Sequence, residues 1–227
     1  MMMNIILDLL FPPKCAFCGK LLDGPGDICR ECGANLPYRE EENVVTYIGD
    51  GRYPCARTFY YESMVQEGVK ALKFGKKSWR AKVFARYIAQ TAAEQFSDEF
   101  DAVTYVPVSL RRNFERGFDQ SRLIAEATAK IWGQSAEQTL RRIRHTKAQS
   151  SLTSARARRQ NVKGVYKVPD AAKVRGRRFL LIDDVCTTGS TLLAAADALT
   201  EAGAEAVFCA VLAGGHAETE KRLETVP

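Results

Sequence analysis

The stretch from Phe179 to Thr191, FLLIDDVCTTGST, limits what this chain can fold into more than any other. Phe179 to Asp183 reads as a buried strand, with no polar residue before the acids. Asp183 and Asp184 stand where that strand is predicted to end. Thr187, Thr188, Gly189, Ser190 and Thr191 follow at once, and then an Ala-rich helical stretch, Leu192 to Ala202. A strand that turns through small polar residues into a helix is suited to hold an anion. The N–H groups of the first helical turn lack partners, and the helix dipole adds positive charge there. Gly189 is expected to let the backbone approach a ligand closely. The two acids lie beside the anion, better placed for sugar hydroxyls or a hydrated Mg²⁺ than for the phosphate itself.

Strand and helix patterns alternate on either side of this stretch. Arg57 to Tyr61, Ala102 to Val108, Thr139 to Ile143, Val165 to Val168 and Ala206 to Leu212 read as strands. Met64 to Phe74, Ser78 to Phe96 (with Ser78 as cap) and Phe118 to Trp132 read as helices. This alternation predicts an α/β fold with a mainly parallel sheet flanked by helices, and ligands at the C-terminal edge of the strands. No Walker A sequence is present, which argues against ATP hydrolysis by that route.

Ahead of the sheet stand two C-x-x-C-G knuckles, Cys15 to Gly19 and Cys29 to Gly33, with ten residues between Cys18 and Cys29. Four thiolates, Cys15, Cys18, Cys29 and Cys32, can close a tetrahedral site with no open position, so the expected role is structural. Zinc suits such a site, and a rubredoxin-like iron has the same ligand geometry. The glycine of each knuckle is predicted to supply a left-handed turn. Cys55 reads as a core thiol. The expected division is a zinc-ribbon-like module over residues 1–48, with a short helix at 4–11, and an α/β domain over residues 49–227. Arg39 to Asn43 reads as a linker and Val44 to Ile48 as a strand leaving the module.

The basic residues give a net charge of +6 and cluster between Arg111 and Arg178. Such an excess suits an anionic partner. Arg111, Arg112 and Arg116 fall in a predicted loop after the Ala102–Val108 strand, placed for a second phosphate group. Lys70, Lys73, Lys76 and Lys77 surround the end of the Met64–Phe74 helix. They complement its dipole, and Lys73 also reads as an arm toward a phosphate. The run from Arg144 to Asn161 is too polar for a core and reads as a mobile basic lid, a nucleic-acid-binding segment or a solvated helix. His145 within it reads as a surface residue. The apolar run Ile5 to Phe11 is too short to cross a bilayer and has neither the basic leader nor the cleavage site of a signal peptide. A cytoplasmic protein without a transmembrane segment is expected, its cysteines serving as metal ligands or free thiols.

The central stretch resembles the PRPP-binding motif of type I phosphoribosyltransferases. Nearly the whole chain resembles the ComF (GntX-like) competence protein family. The shared features are the LLFPPKC-x-x-C lead into the four-Cys module, the VPVS strand end and the RGFDQS segment. They continue with Arg144, Thr146, Gln149 and Leu152, then Arg156, Arg159 and Asn161, and LLIDDVCTTGSTL. Cys186 departs from the motif, standing where Tyr is common. The resemblance implies that Asp183 and Asp184 hold the ribose hydroxyls of PRPP and its Mg²⁺ shell. Thr187, Thr188, Gly189, Ser190 and Thr191 would wrap the 5′-phosphate. Pro107, Val108 and Ser109 would form the pyrophosphate loop, with Arg111, Arg112 and Arg116 nearby, and residues 144–161 would be the hood. Three readings stay open: a phosphoribosyltransferase with an unidentified acceptor, a PRPP or nucleotide sensor without turnover, and a cytosolic protein that handles single-stranded DNA alongside other competence proteins.

Overall fold

The computed structural model describes residues 12–75, 77–144 and 164–216. The expected N-terminal helix, Lys76, His145, the rest of the basic run to Asn161 and residues 217–227 lie outside the described residues.

Two short helices, α1 (Arg30–Ala34) and α2 (Glu41–Val44), precede strands β1 (Val45–Ile48) and β2 (Tyr53–Tyr60). Helices α3 (Ser63–Phe74) and α4 (Arg80–Phe96) lead to β3 (Ala102–Tyr105), followed by α5 (Leu110–Arg116) and α6 (Gln120–Ile131). Three two-residue strands come next: β4 (Ala136–Glu137), β5 (Arg141–Arg142) and β6 (Tyr166–Lys167). After a 3₁₀ turn at Ala171–Lys173 the chain enters β7 (Arg178–Cys186), α7 (Ser190–Glu201) and β8 (Ala206–Gly214).

Six strands form one sheet in the order β1-β2-β8-β7-β3-β4. All neighbours are parallel except the edge pair β1–β2, which is antiparallel. The predicted mainly parallel α/β sheet is therefore present. Strands β5 and β6 form a separate antiparallel pair. Strand β7 lies between β8 and β3 and is buried on both faces. Leu180 and Ile182 join a core with Phe84, Val103 and Ile124. Phe179 and Leu181 point the other way, into a core with Leu192, Leu199 and Val207. That is the two-residue alternation of a pleated strand, here with apolar layers on both sides.

The cysteine module is built into the first of these cores. Cys15, Ala16, Phe17, Cys32 and Leu36 belong to it, and Phe17 packs against the rings of Phe59, Phe84 and Tyr87. Arg80, 2% exposed, donates from Nη1 to Ala16 O at 2.5 Å and to Phe17 O at 3.0 Å. Gly68 of α3 permits this approach, since a Cβ there would lie 3.1 Å from Ala16 O and 3.2 Å from the Cα of Phe17.

Several elements differ from the sequence expectations. Strand β7 continues through both acids to Cys186. Strand β3 stops at Tyr105, before Pro107, which has no N–H to offer a ladder. The predicted arginine loop is instead helix α5. Ser109 Oγ caps it by accepting from Arg112 N–H, and Gly117 ends it in the left-handed region at φ 81°. Ser78 does not cap α4, which starts at Arg80 with no side-chain cap. The expected strand Thr139–Ile143 shrinks to Arg141–Arg142. The expected linker carries α2, and Arg39 within it is buried. Gly19 has the predicted positive φ, 77°, but Gly33 does not, because it lies inside α1.

Candidate functional site

A cavity of about 450 Å³ opens at the C-terminal edge of β7 and β3. The acids at the end of β7 form its floor. Asp183 and Asp184 are 8% and 4% exposed. Asp183 Oδ1 accepts from Ser121 Oγ at 2.6 Å and from the Asp184 N–H at 2.9 Å. Burial, and then the adjacent Asp184 charge, push the Asp183 carboxyl up to about 7. Asp184 Oδ1 is 2.8 Å from the ammonium of Lys73, in the last turn of α3. Burial alone would lower the Lys73 pKa, but the charge and hydrogen bond of Asp184 together with the Asp183 charge outweigh it, and the net shift is upward. The other oxygen, Asp184 Oδ2, is buried without a hydrogen-bond partner.

The opposite wall is cationic. Arg112, Arg116 and Arg142 all line the cavity. Burial, then the charges of Arg142 and Arg116, lower the Arg112 pKa, as expected of guanidinium groups crowded together. Arg116 is held by Gln120 Oε1 at 2.7 Å and lies over the Phe74 ring. Arg142 donates to Tyr166 OH at 3.1 Å, across the β5–β6 pair. Pro107 and Val108 also line the cavity. Their loop is fixed by the side chain of Asp119, whose Oδ2 accepts from Val108 N–H at 2.9 Å while Oδ1 accepts from Arg122 N–H and caps α6.

The turn after β7 places Thr187 and Thr191 in the cavity wall. Thr188 and Ser190 bond to each other through their hydroxyls at 2.9 Å. Gly189 is the N-cap of α7, with φ 68° and hence no side chain to cap the first-turn N–H groups. Glycine here also answers to packing. A Cβ at Gly189 would meet Ile48 Cγ2 at 2.7 Å, so the turn lies close against edge strand β1.

Among the residues singled out from sequence, Lys73, Pro107, Val108, Arg112, Arg116, Asp183, Asp184, Thr187 and Thr191 are brought to one cavity. Arg111 is not, because α5 turns it outward to pair with Glu115 at 2.7 Å. Ser109 serves as a helix cap, and Gly189 and Ser190 are buried in the turn. Sequence reasoning did not single out Asp119, Ser121, Arg142 or Tyr166, nor Tyr61, which also lines the cavity. The first two sit in RGFDQS, where an Asp ahead of a helical run is a cap signal.

At the other end of the chain, the sulfurs of Cys15, Cys18, Cys29 and Cys32 all lie within 4.8 Å of one another. Cys18 Sγ and Cys29 Sγ are 3.7 Å apart. A tetrahedron with Zn–S bonds of about 2.3 Å has edges of about 3.8 Å, so the cluster fits a metal ion. Burial pushes the Cys32 and Cys18 thiols up. Against the same burial, the N–H groups of Cys29, Cys18 and Phe17 bring Cys15 down to about 6. Cys55, Cys186 and Cys209 are buried and form no disulfide.

Two stretches of the chain match known protein families. The family model for the phosphoribosyl transferase domain matches residues 122–226, and that for the double zinc ribbon domain matches residues 6–44. The fold is thus of the phosphoribosyltransferase class, with a four-cysteine zinc ribbon at its N-terminal end. DNA utilization protein YhgH of Salmonella typhi is 29% identical, covering 85% of this chain and 86% of that protein. Competence protein F of Haemophilus influenzae is 27% identical over 86% of this chain and 82% of its own length. Competence protein ComFC of Bacillus subtilis is 25% identical over 83% of this chain and 72% of its own. Over most of its length the chain is thus similar to proteins named for competence and DNA utilization. Among the described residues, no helix is long and apolar enough to cross a membrane.

Proposed function

We propose that the cavity binds PRPP with Mg²⁺ and that the protein is a phosphoribosyltransferase-type member of the competence machinery, acting in the cytoplasm. One observation carries this reading. The unpartnered, buried Asp184 Oδ2 lies on the floor of the same cavity whose wall holds Arg112, Arg116 and Arg142. An acceptor oxygen awaiting donors suits ribose hydroxyls, and clustered guanidinium groups suit a diphosphate. The uncapped first turn of α7, with Thr187 and Thr191 beside it, suits the 5′-phosphate.

Asp183 and Asp184 would hold the diol and the hydrated Mg²⁺, whose charge helps a diphosphate leave. As pyrophosphate departs from the anomeric carbon, positive charge develops on the sugar, and carboxylates holding its hydroxyls would stabilise that charge. The arginines receive the charge of the leaving group. The acceptor supplies the electron pair for the new bond, so no protein nucleophile is needed. Pyrophosphate release from PRPP, followed with cell extract as the acceptor source, tests turnover. Release that depends on extract and is lost in Asp184→Asn supports transfer; its absence across extracts contradicts it.

A second reading is favoured by the names of the relatives, which refer to DNA utilization and competence. In it the cavity senses PRPP or a phosphoribosyl nucleotide while the protein handles incoming single-stranded DNA with other competence proteins. Salt-dependent binding of single-stranded DNA that changes with PRPP, without pyrophosphate release, would select it.

A further inference from the structure

Two adjacent carboxylates on a cavity floor would ordinarily attract any divalent cation in solution. Here the chain supplies a cation of its own. Lys73 Nζ sits 2.8 Å from Asp184 Oδ1, and its side chain is only 21% exposed. It reaches the acids from α3, a helix locked in place by Gly68 against the Ala16 carbonyl and the Phe17 backbone of the first knuckle. The ammonium therefore belongs to a rigid element and is not a surface lysine that happens to lie nearby. It compensates one carboxylate oxygen, while Asp184 Oδ2 on the same group has no partner. Asp183 is engaged separately, by Ser121 and the Asp184 N–H.

From this arrangement we infer that Lys73 determines which form of metal the acid pair accepts. A bare divalent ion at Asp184 would bring its double charge next to a fixed ammonium, with Arg112, Arg116 and Arg142 lining the same cavity. An ion already bound to a diphosphate arrives with net negative charge, which all four cationic side chains attract. Lys73 thus excludes free divalent cations and admits the metal–diphosphate complex. The selectivity keeps the acids available for loaded substrate when free Mg²⁺ is abundant. The inference rests on the reading of the cavity as a Mg²⁺-PRPP site, and it names a role for a residue that the transfer chemistry does not require.

The test uses the full-length, zinc-loaded protein and Mn²⁺ as the probe, with the unbound ion followed by its electron paramagnetic resonance signal. Without phosphate ligands the native protein should show no saturable Mn²⁺ at this cavity. Added inorganic pyrophosphate should bring Mn²⁺ onto the protein. Lys73→Met, close in shape and without charge, should bind Mn²⁺ alone about tenfold or more tightly than the native protein. That gain should vanish in Lys73→Met with Asp184→Asn. Lys73→Arg keeps the charge and should exclude Mn²⁺ as the native protein does. Saturable Mn²⁺ binding at the cavity of the native protein without pyrophosphate would overturn the inference even if no variant folded. So would a Lys73→Met protein that gains no Mn²⁺ affinity. The outcome separates from that of the PRPP reading. Native protein that binds Mg²⁺-PRPP while Lys73→Met gains nothing sinks only the role of Lys73. A Lys73→Met gain without any PRPP binding by the native protein sinks only the substrate.

Discussion

The cysteine knuckles and the acid pair are both clusters of anionic side chains, yet they are finished differently. The four sulfurs converge on one point, with Arg80 beside them bonded to the knuckle backbone. Every donor of that site is spoken for once a single ion is bound. In the cavity, Asp183 is satisfied by Ser121 and a backbone N–H, Asp184 is half satisfied by Lys73, and one oxygen is left over. A site whose donors are all used up by one metal ion holds the fold together. A site that keeps a buried acceptor unpartnered beside clustered arginines is arranged for something that comes and goes.

The largest effect expected from this contrast is on the cysteine side. Structural zinc sites contribute on the order of 10 kcal/mol to folding. Because Phe17, Cys15 and Cys32 share a core with β7 and α4, metal removal should lower the melting temperature of the whole protein rather than release a separate module. A calorimetric trace in which the sheet melts unchanged after chelation would break the comparison at its root. Arg80→Ala should be next in size, at about 3 kcal/mol in urea unfolding, since it leaves two buried carbonyls unpaired and opens a cavity. An effect below about 1 kcal/mol would mean that the knuckle does not depend on this anchor.

On the cavity side, Asp184→Asn should weaken Mg²⁺-PRPP binding by about 100-fold in calorimetric titration, the scale of a lost charged contact. A variant that binds like the native protein would remove Asp184 from the site. The pH dependence sharpens the contrast further. Asp183 has a folded pKa raised to about 7 by burial and the Asp184 charge, against about 3.9 in the unfolded chain. Between those values the folded protein keeps a proton that the unfolded chain has lost. The stability of the ligand-free protein should therefore fall as pH rises from about 4 to about 7. Asp183→Asn should flatten that slope in urea unfolding across pH; an unchanged slope would mean another group sets it. The smallest effect expected is from Gly189→Ala, about 1–2 kcal/mol for a left-handed backbone, with added crowding against Ile48. Its unfolding midpoint would reveal whether β1 and the turn after β7 are as closely packed as they look.

How far the sequence could be read depends on range. The strand, acids, turn and helix from Phe179 onward are contiguous, and local pattern carries them. The four cysteines are likewise legible from spacing alone. Sheet order is not, because nothing local says that β8 inserts between β2 and β7. Helix α5 was hidden by its composition. Phe114 is 91% exposed, so no apolar stripe announced the helix, although Ser109 and Gly117 marked both ends. Arg111 was misplaced for the same reason, since helical geometry turns it away from Arg112. The contributions of Ser121 and Arg142 depend on contacts made across the fold, with Asp183 and Tyr166. Lys73 was legible as a cation near a phosphate site, but its attachment to Asp184 is a contact between residues far apart in the chain.

The central question is whether the unpartnered oxygen of Asp184 marks a phosphoribosyl site. The melting temperature of the full-length, zinc-loaded protein in saturating Mg²⁺-PRPP addresses it. A ligand present at about 100 times its dissociation constant stabilises by about 2.7 kcal/mol, which corresponds to a rise of several degrees. That rise should appear with Mg²⁺-PRPP, be smaller with ribose 5-phosphate or pyrophosphate alone, and disappear in Asp184→Asn. An unchanged melting temperature for the native protein in saturating Mg²⁺-PRPP would mean that the cavity holds something else.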